Sequence, residues 1–180
     1  EAWLTNGNSE ILMATRSGRA IRFNEQNVRS MGRNASGARG VKLDDENDAA
    51  IGMVCIDNAE YHILVVSENG YGKRSRLEDY RVTNRGGKGV KTLNVTEKTG
   101  RLIAIKNVTD KNDLMIINRS GLTIRLAVSE LRVMGRATQG VRLISLRDDD
   151  SIAAVAKVDV EEEKNGDSIN IENTQQEDDE

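Results

Sequence analysis

An internal repeat of about 51 residues is the feature of the sequence that most constrains the fold. The glycines at its first turn, Gly18, Gly70 and Gly121, are 52 and 51 residues apart. Around each glycine the chain has an apolar run, a polar turn and a second run that ends in arginine. Runs rich in Val, Ile and Thr that are broken by Ser-Gly or Asn-Gly predict β-hairpins, because such turns require positive φ.

Two further segments follow the hairpin in every repeat. One is a Gly-Val-basic triplet and the other is a third apolar run, which gives about four short strands per repeat. The triplets are Gly40–Lys42, Gly89–Lys91 and Gly140–Arg142, and the apolar runs are Ile51–Ile56, Leu102–Ile105 and Ile152–Val158. Four-stranded units at this period are typical of propeller architectures, and the hairpin runs lack the 3.6-residue period of a helical solenoid. The sequence therefore predicts an all-β, propeller-like fold with about three four-stranded blades.

The charge distribution divides the chain into two parts. Residues 1–147 carry a net charge of +8 and residues 148–180 carry -11, within a total of -3. We expect a folded region at 1–160, with repeats near 1–50, 51–100 and 101–150 and a closing strand at 151–160. Residues 161–180 have too few apolar side chains to offset the entropy of ordering, so they are predicted to be a disordered acidic tail. One hypothesis makes this tail a DNA mimic that competes for the basic region, and the alternative is a solvating tail.

Composition excludes several classes of function. No apolar run approaches the length of a membrane-spanning helix, and the first residues lack the layout of a signal peptide. One cysteine and one histidine cannot make an internal disulfide or a Cys/His zinc site. Because the chain opens with Glu1, we expect a piece of a longer polypeptide. The missing membrane and signal segments and the single cysteine predict a soluble, cytoplasmic chain with no membrane partner.

Basic residues occupy the same positions in all three repeats. Because repeated units present equivalent side chains at equivalent points, these sets predict a basic band along one rim. The sets are Arg22, Arg74 and Arg125; Arg29, Arg81 and Arg132; Arg33, Arg85 and Arg136; and Lys42, Lys91 and Arg142, with Lys73 and Lys88 as additional cations. Spaced cations with few aromatics suit the backbone of double-stranded DNA better than single strands. The alternative is that the charges only keep a β-protein in solution.

The densest basic turn is Asn84–Gly89, with the sequence Asn-Arg-Gly-Gly-Lys-Gly. It does not match a Walker A loop, because Lys88 is followed by Gly89 rather than by Ser or Thr. Main-chain N–H groups in such glycine turns can approach phosphates closely, which favours contact with a DNA backbone. No paired carboxylates or Ser/His/Asp set indicates catalysis, so no catalytic, cofactor or metal site is predicted.

These motifs together resemble the C-terminal domain of bacterial DNA gyrase A. The resemblance rests on the repeated hairpins, the segment Asn69–Arg74, the turn Arg85–Gly89 and the segment Val133–Val141, in the family's order over residues 1–160. It implies a β-pinwheel, a propeller-like disc whose blades exchange strands with their neighbours. In this family a six-bladed disc bends double-stranded DNA around a basic perimeter. The bending supports ATP-dependent negative supercoiling by an A2B2 holoenzyme of gyrase A and gyrase B, a type II DNA topoisomerase.

The resemblance also limits the expectations. Three repeats correspond to the C-terminal part of a larger disc, and Thr83 and Asn84 replace the first two residues of the family motif Gln-Arg-Arg-Gly-Gly-Lys-Gly. The catalytic tyrosine, ATP and Mg sites of the family lie in other parts of the enzyme, so Tyr61, Tyr71 and Tyr80 are not assigned that role. Two alternatives remain at this stage: the corresponding domain of topoisomerase IV, which guides DNA for decatenation, and a propeller-like scaffold for protein partners.

Overall fold

The computed structural model describes residues 1–147 and 149–160 as three antiparallel sheets. The acidic tail expected at 161–180 lies outside the described residues. The strands are β1 (Glu10–Thr15), β2 (Arg19–Asn24), β3 (Ala50–Ile56), β4 (His62–Ser67), β5 (Tyr71–Arg76), β6 (Val90–Lys91), β7 (Leu102–Val108), β8 (Asn112–Asn118), β9 (Thr123–Ala127), β10 (Val141–Arg142) and β11 (Ile152–Asp159). Short 3-10 helices follow the hairpins at Glu25–Asn27, Leu77–Asp79 and Val128–Glu130.

Each predicted hairpin is present and forms the centre of one sheet, here called a blade. Blade 1 has the strand order β3-β1-β2-β6, blade 2 has β10-β5-β4-β7, and blade 3 has β11-β8-β9. The hairpin glycines Gly18, Gly70 and Gly121 have φ values of 84°, 79° and 90°, as the turn chemistry requires. The third apolar run of each repeat becomes the strand on the far side of the hairpin, which confirms that part of the prediction.

The fourth strand of a blade comes from the following repeat. Val90 of repeat 2 pairs with Ala20 of blade 1, and Val141 of repeat 3 pairs with Gly72 of blade 2. This exchange is the property that distinguishes a pinwheel from a simple propeller, and it confirms the fold that the resemblance implied. The prediction of four strands per blade holds for blades 1 and 2, whereas the described residues of blade 3 form three strands.

Exchanged segments come very close to the backbone of the hairpin that receives them. The amides of Thr92 and Leu93 donate to the carbonyl of Gly18 at 2.8 and 3.1 Å. A Cβ on Gly18 would stand 2.6 Å from the carbonyl oxygen of Leu93, so only glycine leaves room. The amides of Leu143 and Ile144 repeat this contact at the carbonyl of Gly70, at 2.8 and 3.4 Å.

The core lies between successive blades. One apolar cluster joins Leu12 and Val54 of blade 1 to Ile63 and Val65 of blade 2, and a second cluster joins blades 2 and 3. Because both faces of blade 2 are covered, Ile63 to Val66 are all fully buried. This explains why the strand is continuously apolar rather than alternating. No helix among the described residues has the length and apolar character needed to cross a bilayer.

Replacing Gly89 with alanine tests the strand exchange. Gly89 has φ of +71° and an added Cβ would stand 2.2 Å from the carbonyl oxygen of Ala20 in the neighbouring blade. We expect a loss of about 1–2 kcal/mol from the left-handed backbone and about 1–3 kcal/mol more from the clash. The free energy of unfolding in urea measures both.

Gly7→Ala is the matched control for this change. Gly7 has φ of +90° and nothing within 4 Å of an added Cβ, so its replacement carries the backbone strain alone. Equal losses in the two variants would contradict the close approach of repeat 2 to blade 1.

Candidate nucleic-acid interface

The sheet order places the Gly-Val-basic strands on the perimeter of the molecule. Strand β7 contacts both β3 and β11, and these three strands form the hub. At the opposite edge of blades 1 and 2 lie the exchanged strands β6 and β10. The basic residues of these edge strands, Lys91 and Arg142, are exposed. In blades 1 and 2 the sequence motif that closes a repeat therefore supplies the outermost strand.

Five of the predicted cations lie exposed without an ion pair or a side-chain hydrogen bond in the described part of the chain. Three of them, Arg29, Arg81 and Arg132, occupy equivalent positions directly after the 3-10 helices of the three repeats. The other two, Arg33 and Lys42, lie on the exposed segment between β2 and β3. Uncompensated guanidinium and ammonium groups of this kind can pair with phosphates without first breaking a bond within the protein.

Arg85 and Arg136 are held by carbonyl groups of the preceding repeat. The Arg85 guanidinium donates to the carbonyls of Asn27 at 2.9 Å and Arg39 at 3.1 Å, and Arg136 donates to the carbonyl of Lys91 at 3.0 Å. These bonds keep the positive charge because carbonyls are neutral acceptors. Both side chains are partly exposed, so their charge still contributes to the field of the perimeter.

Lys88 and Lys91 lie on either side of Gly89. Lys88 is half-exposed and forms an ion pair with Asp44 at 3.1 Å, while Lys91 donates to the amide oxygen of Asn94 at 3.3 Å. Asp44 also binds Arg19, and the hydrogen bonds from Arg19 and then Lys88 lower the pKa of this carboxyl. Asp44 therefore offsets part of the positive charge at the turn Asn84–Gly89. The repeat pattern did not reveal this ion pair.

Arg142 forms a small aromatic-basic cluster with Tyr71. Its guanidinium donates to the Tyr71 hydroxyl at 3.1 Å and lies 5.6 Å from the ring centroid, and Lys98 lies 5.5 Å from the same centroid. The hydrogen bond from Arg142 is the main cause of a lowered pKa for Tyr71. Lys98 was absent from the sequence prediction, because it has no basic counterpart at the same position in the other repeats.

Arg22 and Arg74 join successive repeats instead of lying free on the perimeter. Arg22 pairs with Glu10 and donates to the carbonyls of Leu77 and Tyr80 at 2.9 and 3.0 Å. Arg74 is 7% exposed and makes the corresponding bonds to Asp110 and to the carbonyl of Leu131. The bond from Arg74 lowers the pKa of Asp110. Both arginines were predicted as DNA contacts, and the structure gives them a position at the joint between repeats.

Arg125, the counterpart of Arg22 and Arg74 in repeat 3, differs from them. Its guanidinium binds Asp113, and its side chain remains 55% exposed. In the described residues no later repeat supplies the carbonyls that Arg22 and Arg74 bind. Arg125 thus lies in the last repeat that the structure describes.

Lys73 is fully enclosed rather than displayed on the surface. Its ammonium donates to the carbonyls of Gly135 at 2.7 Å and Thr138 at 3.1 Å, and also to the carbonyl of Arg136. The pKa of Lys73 is lowered to about 8, mainly because the ammonium is buried and to a lesser extent because Arg136 is nearby. Lys73 therefore fixes the turn that carries Arg136, and only 1% of the residue is exposed. Its counterpart in repeat 1, Ile21, packs beneath Gly87 instead.

Comparison with known proteins agrees with this architecture. The family model for the DNA gyrase C-terminal domain, described as a beta-propeller, matches residues 9–57, 61–109 and 112–159. Each match contains the hairpin and the third apolar strand of one blade, and the three together cover most of the chain. The chain belongs to the DNA gyrase C-terminal domain family.

Individual relatives support the same assignment. The DNA gyrase A protein of Staphylococcus aureus strain NCTC 8325 is 45% identical over 91% of this chain, and the match covers 19% of that protein. A solved DNA gyrase A C-terminal domain is 25% identical, with a TM-score of 0.77 over 85% of this chain and 52% of the other. A solved C-terminal domain of DNA topoisomerase IV shares the fold at 23% identity, with a TM-score of 0.82 over 87% of this chain and 49% of the other. The chain thus spans about a fifth of the curated relative and about half of each solved domain.

Lys73→Met tests the enclosed ammonium. At pH 7 we expect the free energy of unfolding of the variant to be about 1–3 kcal/mol lower than that of the parent, because carbonyls of the 135–138 turn lose their donor. Urea unfolding gives this difference, and amide hydrogen exchange should show faster opening of the turn.

Comparing the pH dependence of unfolding of the parent and the Lys73→Met variant tests the lowered pKa of Lys73. Between about pH 8 and the ordinary lysine value of 10.5, the unfolded chain binds more protons than the folded chain. The free energy of unfolding of the parent therefore rises with pH relative to the methionine variant over this window. A difference between the two proteins that stays constant from pH 7 to 10.5 would contradict the lowered pKa.

Proposed function

We propose that this chain binds double-stranded DNA along its basic perimeter and bends or wraps it, as part of the C-terminal domain of a DNA gyrase A protein. The observation that carries the proposal is the recurrence of exposed, uncompensated arginine at Arg29, Arg81 and Arg132, one in each repeat. A second recurrent set of exposed cations comprises Lys42, Lys91 and Arg142. Family membership supports the same function.

The chemistry of such a perimeter favours binding to the DNA backbone over reading of base sequence. Arginine and lysine pair with phosphates whatever the base, and each phosphate neutralised releases counterions. The described surface lacks the long helix that most major-groove readers insert, because its helices have three residues each. Preference among sequences would then come from how easily the DNA bends around the blades.

The finer proposal concerns the parent enzyme. With ATP and Mg bound in other parts of the holoenzyme, the wrapped segment would be presented to the DNA gate of a type II topoisomerase, so that strand passage introduces negative supercoils. The protein partners would be the rest of gyrase A and gyrase B. The residues of this chain would contribute binding and bending, while bond breakage would belong to the rest of the enzyme.

A second candidate function is guiding DNA in topoisomerase IV. The observation that favours it is the TM-score of 0.82 to a topoisomerase IV C-terminal domain, against 0.77 to the gyrase domain. The 45% identity to a DNA gyrase A protein weighs toward gyrase. A protein-interaction scaffold without a DNA role is the remaining alternative, and it predicts no salt-dependent binding to duplex DNA.

Reversing three perimeter charges tests the DNA interface. In the triple variant Arg29→Glu, Arg81→Glu and Arg132→Glu, we expect affinity for a linear duplex to fall by at least about tenfold at moderate salt. The slope of log K against log salt should become shallower by about three, one for each lost phosphate contact. Fluorescence anisotropy across a salt series measures both quantities.

The matched control reverses Arg101, Lys111 and Arg119, which are exposed and belong to none of the recurrent perimeter sets. It changes the net charge by the same amount without touching the perimeter sets. An equal loss of affinity in both variants would mean that total charge, rather than its placement, governs binding. Thermal unfolding near that of the parent confirms that both variants remain folded.

Reconstitution with the remaining parts of the enzyme separates the two topoisomerase assignments. Gyrase function predicts that the holoenzyme carrying this chain introduces negative supercoils into relaxed plasmid with ATP. The perimeter variant should lose supercoiling while retaining relaxation. Efficient decatenation without supercoiling would assign the chain to topoisomerase IV.

A further inference from the structure

A carboxylate bridges two cations at the outer edge of blade 1. One oxygen of Asp44 accepts from the Arg19 Nε–H at 2.7 Å, and the other pairs with the Lys88 ammonium at 3.1 Å. The side chains of Arg19, Asp44 and Lys88 are 33%, 25% and 49% exposed, so solvent reaches all three groups. Arg19 was absent from the sequence prediction, because Tyr71 and Leu122 stand at its position in the other repeats.

The strand register brings a third cation to the same point. Arg19 of β2 lies opposite Lys91 of β6 in the ladder, and like charges in opposed positions destabilise a sheet. Lys91 is exposed, and its ammonium donates to the neutral amide of Asn94 at 3.3 Å. Among the described residues, Asp44 is the only carboxylate that forms an ion pair with Arg19, Lys88 or Lys91. The edge therefore carries more positive charge than its one carboxylate neutralises.

The backbone around Asp44 is fixed by contacts on both sides of the site. The Asp44 amide donates to the buried carboxylate of Asp48 at 3.1 Å, and Asp48 also accepts from the amide and hydroxyl of Ser17 in the hairpin turn. Two residues before Asp44, the amide of Lys42 donates to the carbonyl of Gly87 at 2.8 Å. Because these bonds involve no atom of the Asp44 side chain, rotation of that side chain is enough to release both cations.

The bridging geometry is one that a phosphate can reproduce. The two non-bridging oxygens of a phosphodiester can each accept from one cation, as the two oxygens of Asp44 do here. The hydrogen bonds from Arg19 and then Lys88 lower the pKa of Asp44. Asp44 is therefore ionised at neutral pH, and it occupies the position between the cations as an anion.

The equivalent edge of blade 2 has cations without such a carboxylate. There Tyr71 lies opposite Arg142 in the ladder, at the positions of Arg19 and Lys91. Arg142 and Lys98 both lie over the Tyr71 ring, and neither forms an ion pair within the part of the chain that the structure describes. The exchanged edge thus forms without a bridging carboxylate, so the carboxylate of blade 1 is not a requirement of the fold.

We propose that Arg19 and Lys88 form a binding site for a backbone phosphate of double-stranded DNA, and that Asp44 occupies this site until a phosphate displaces it. The inference rests on the proposed DNA binding and adds Arg19 to its contacts. Displacement exchanges one anion for another, so blade 1 gains less from a phosphate than its number of cations implies. Asp44 thereby lowers the affinity of this part of the perimeter.

Asp44→Asn tests the competition. Asparagine keeps the shape of the side chain and the backbone amide that binds Asp48, but it removes the negative charge. We expect the affinity of the 180-residue chain for a linear duplex to rise at least about threefold at moderate salt. The slope of log K against log salt should become steeper by about one, because no displaced carboxylate takes up a cation. Fluorescence anisotropy across a salt series measures both quantities.

Glu46→Gln is the matched control. Glu46 is exposed, lies two residues from Asp44, and forms no ion pair or hydrogen bond with the other described residues. Its replacement changes the net charge by the same amount, and we expect a smaller rise in affinity with an unchanged slope. Equal effects of Asp44→Asn and Glu46→Gln would mean that net charge governs the rise, and they would overturn the proposal.

A second background tests whether the effect passes through the two cations. In a chain that carries Arg19→Gln and Lys88→Gln, we expect Asp44→Asn to change the affinity by less than about twofold. An undiminished rise in that background would show that Asp44 acts elsewhere, and the proposed site would be wrong. Thermal unfolding near that of the parent confirms that each variant remains folded.

Inorganic phosphate probes the site without DNA. At constant ionic strength, about 1–100 mM phosphate should shift the Nε–H resonance of Arg19 in Asp44→Asn and shift it less in the parent. No shift in the variant, or equal shifts in both proteins, would overturn the site. If the parent does not bind the duplex, the proposed function fails and DNA is excluded as the source of the phosphate. If the parent binds the duplex and Asp44→Asn binds it no more tightly, only the present inference fails.

Discussion

The exchange of backbone segments between successive repeats is the constraint on which the structure depends. A two-residue strand such as β6 contributes few hydrogen bonds, yet it is continued by the amides of Thr92 and Leu93 on the carbonyl of Gly18. Side chains of the same segment enter the cluster between the blades, where Leu93 is fully buried. One stretch of chain therefore closes the sheet edge and fills the core. Both effects require glycine at the point of contact, since a Cβ there would meet backbone atoms.

This exchange also sorts the basic residues into two groups. Those near the segment that crosses between repeats, Arg22, Arg74 and Lys73, donate to backbone carbonyls of the following repeat. Their N–H groups satisfy carbonyl acceptors between the repeats, where Lys73 and Arg74 are buried. Those beyond the 3-10 helices, such as Arg81 and Arg132, extend into solvent. Recurrence alone therefore does not decide which group a basic residue enters.

Much of the fold was predictable because hairpins and their turns are local. The turn glycines, the apolar runs and the triplets of repeats 2 and 3 were placed correctly from the repeat, whereas Gly40–Lys42 forms no strand. Strand exchange was implied by the family resemblance. The site was less predictable. Recurrence selected Arg29, Arg81 and Arg132, which are exposed, but it equally selected Arg74, which is buried. It could not reveal the ion pair between Lys88 and Asp44. Those contacts join residues far apart in sequence, and a repeat pattern contains no information about which neighbour a side chain meets.

The sequence by itself determined the period of the blades, the position of each hairpin and the basic character of residues 1–147. These follow from local turn chemistry, apolar patterning and charge counting, which do not depend on contacts between residues far apart in sequence. Only the tertiary structure decided which cations are exposed, which bind carbonyls between repeats, and which strands pair at each sheet edge among the described residues. The physical reason is that burial and pairing are properties of contacts between repeats, and those contacts exist only once one repeat has passed its segment to the next.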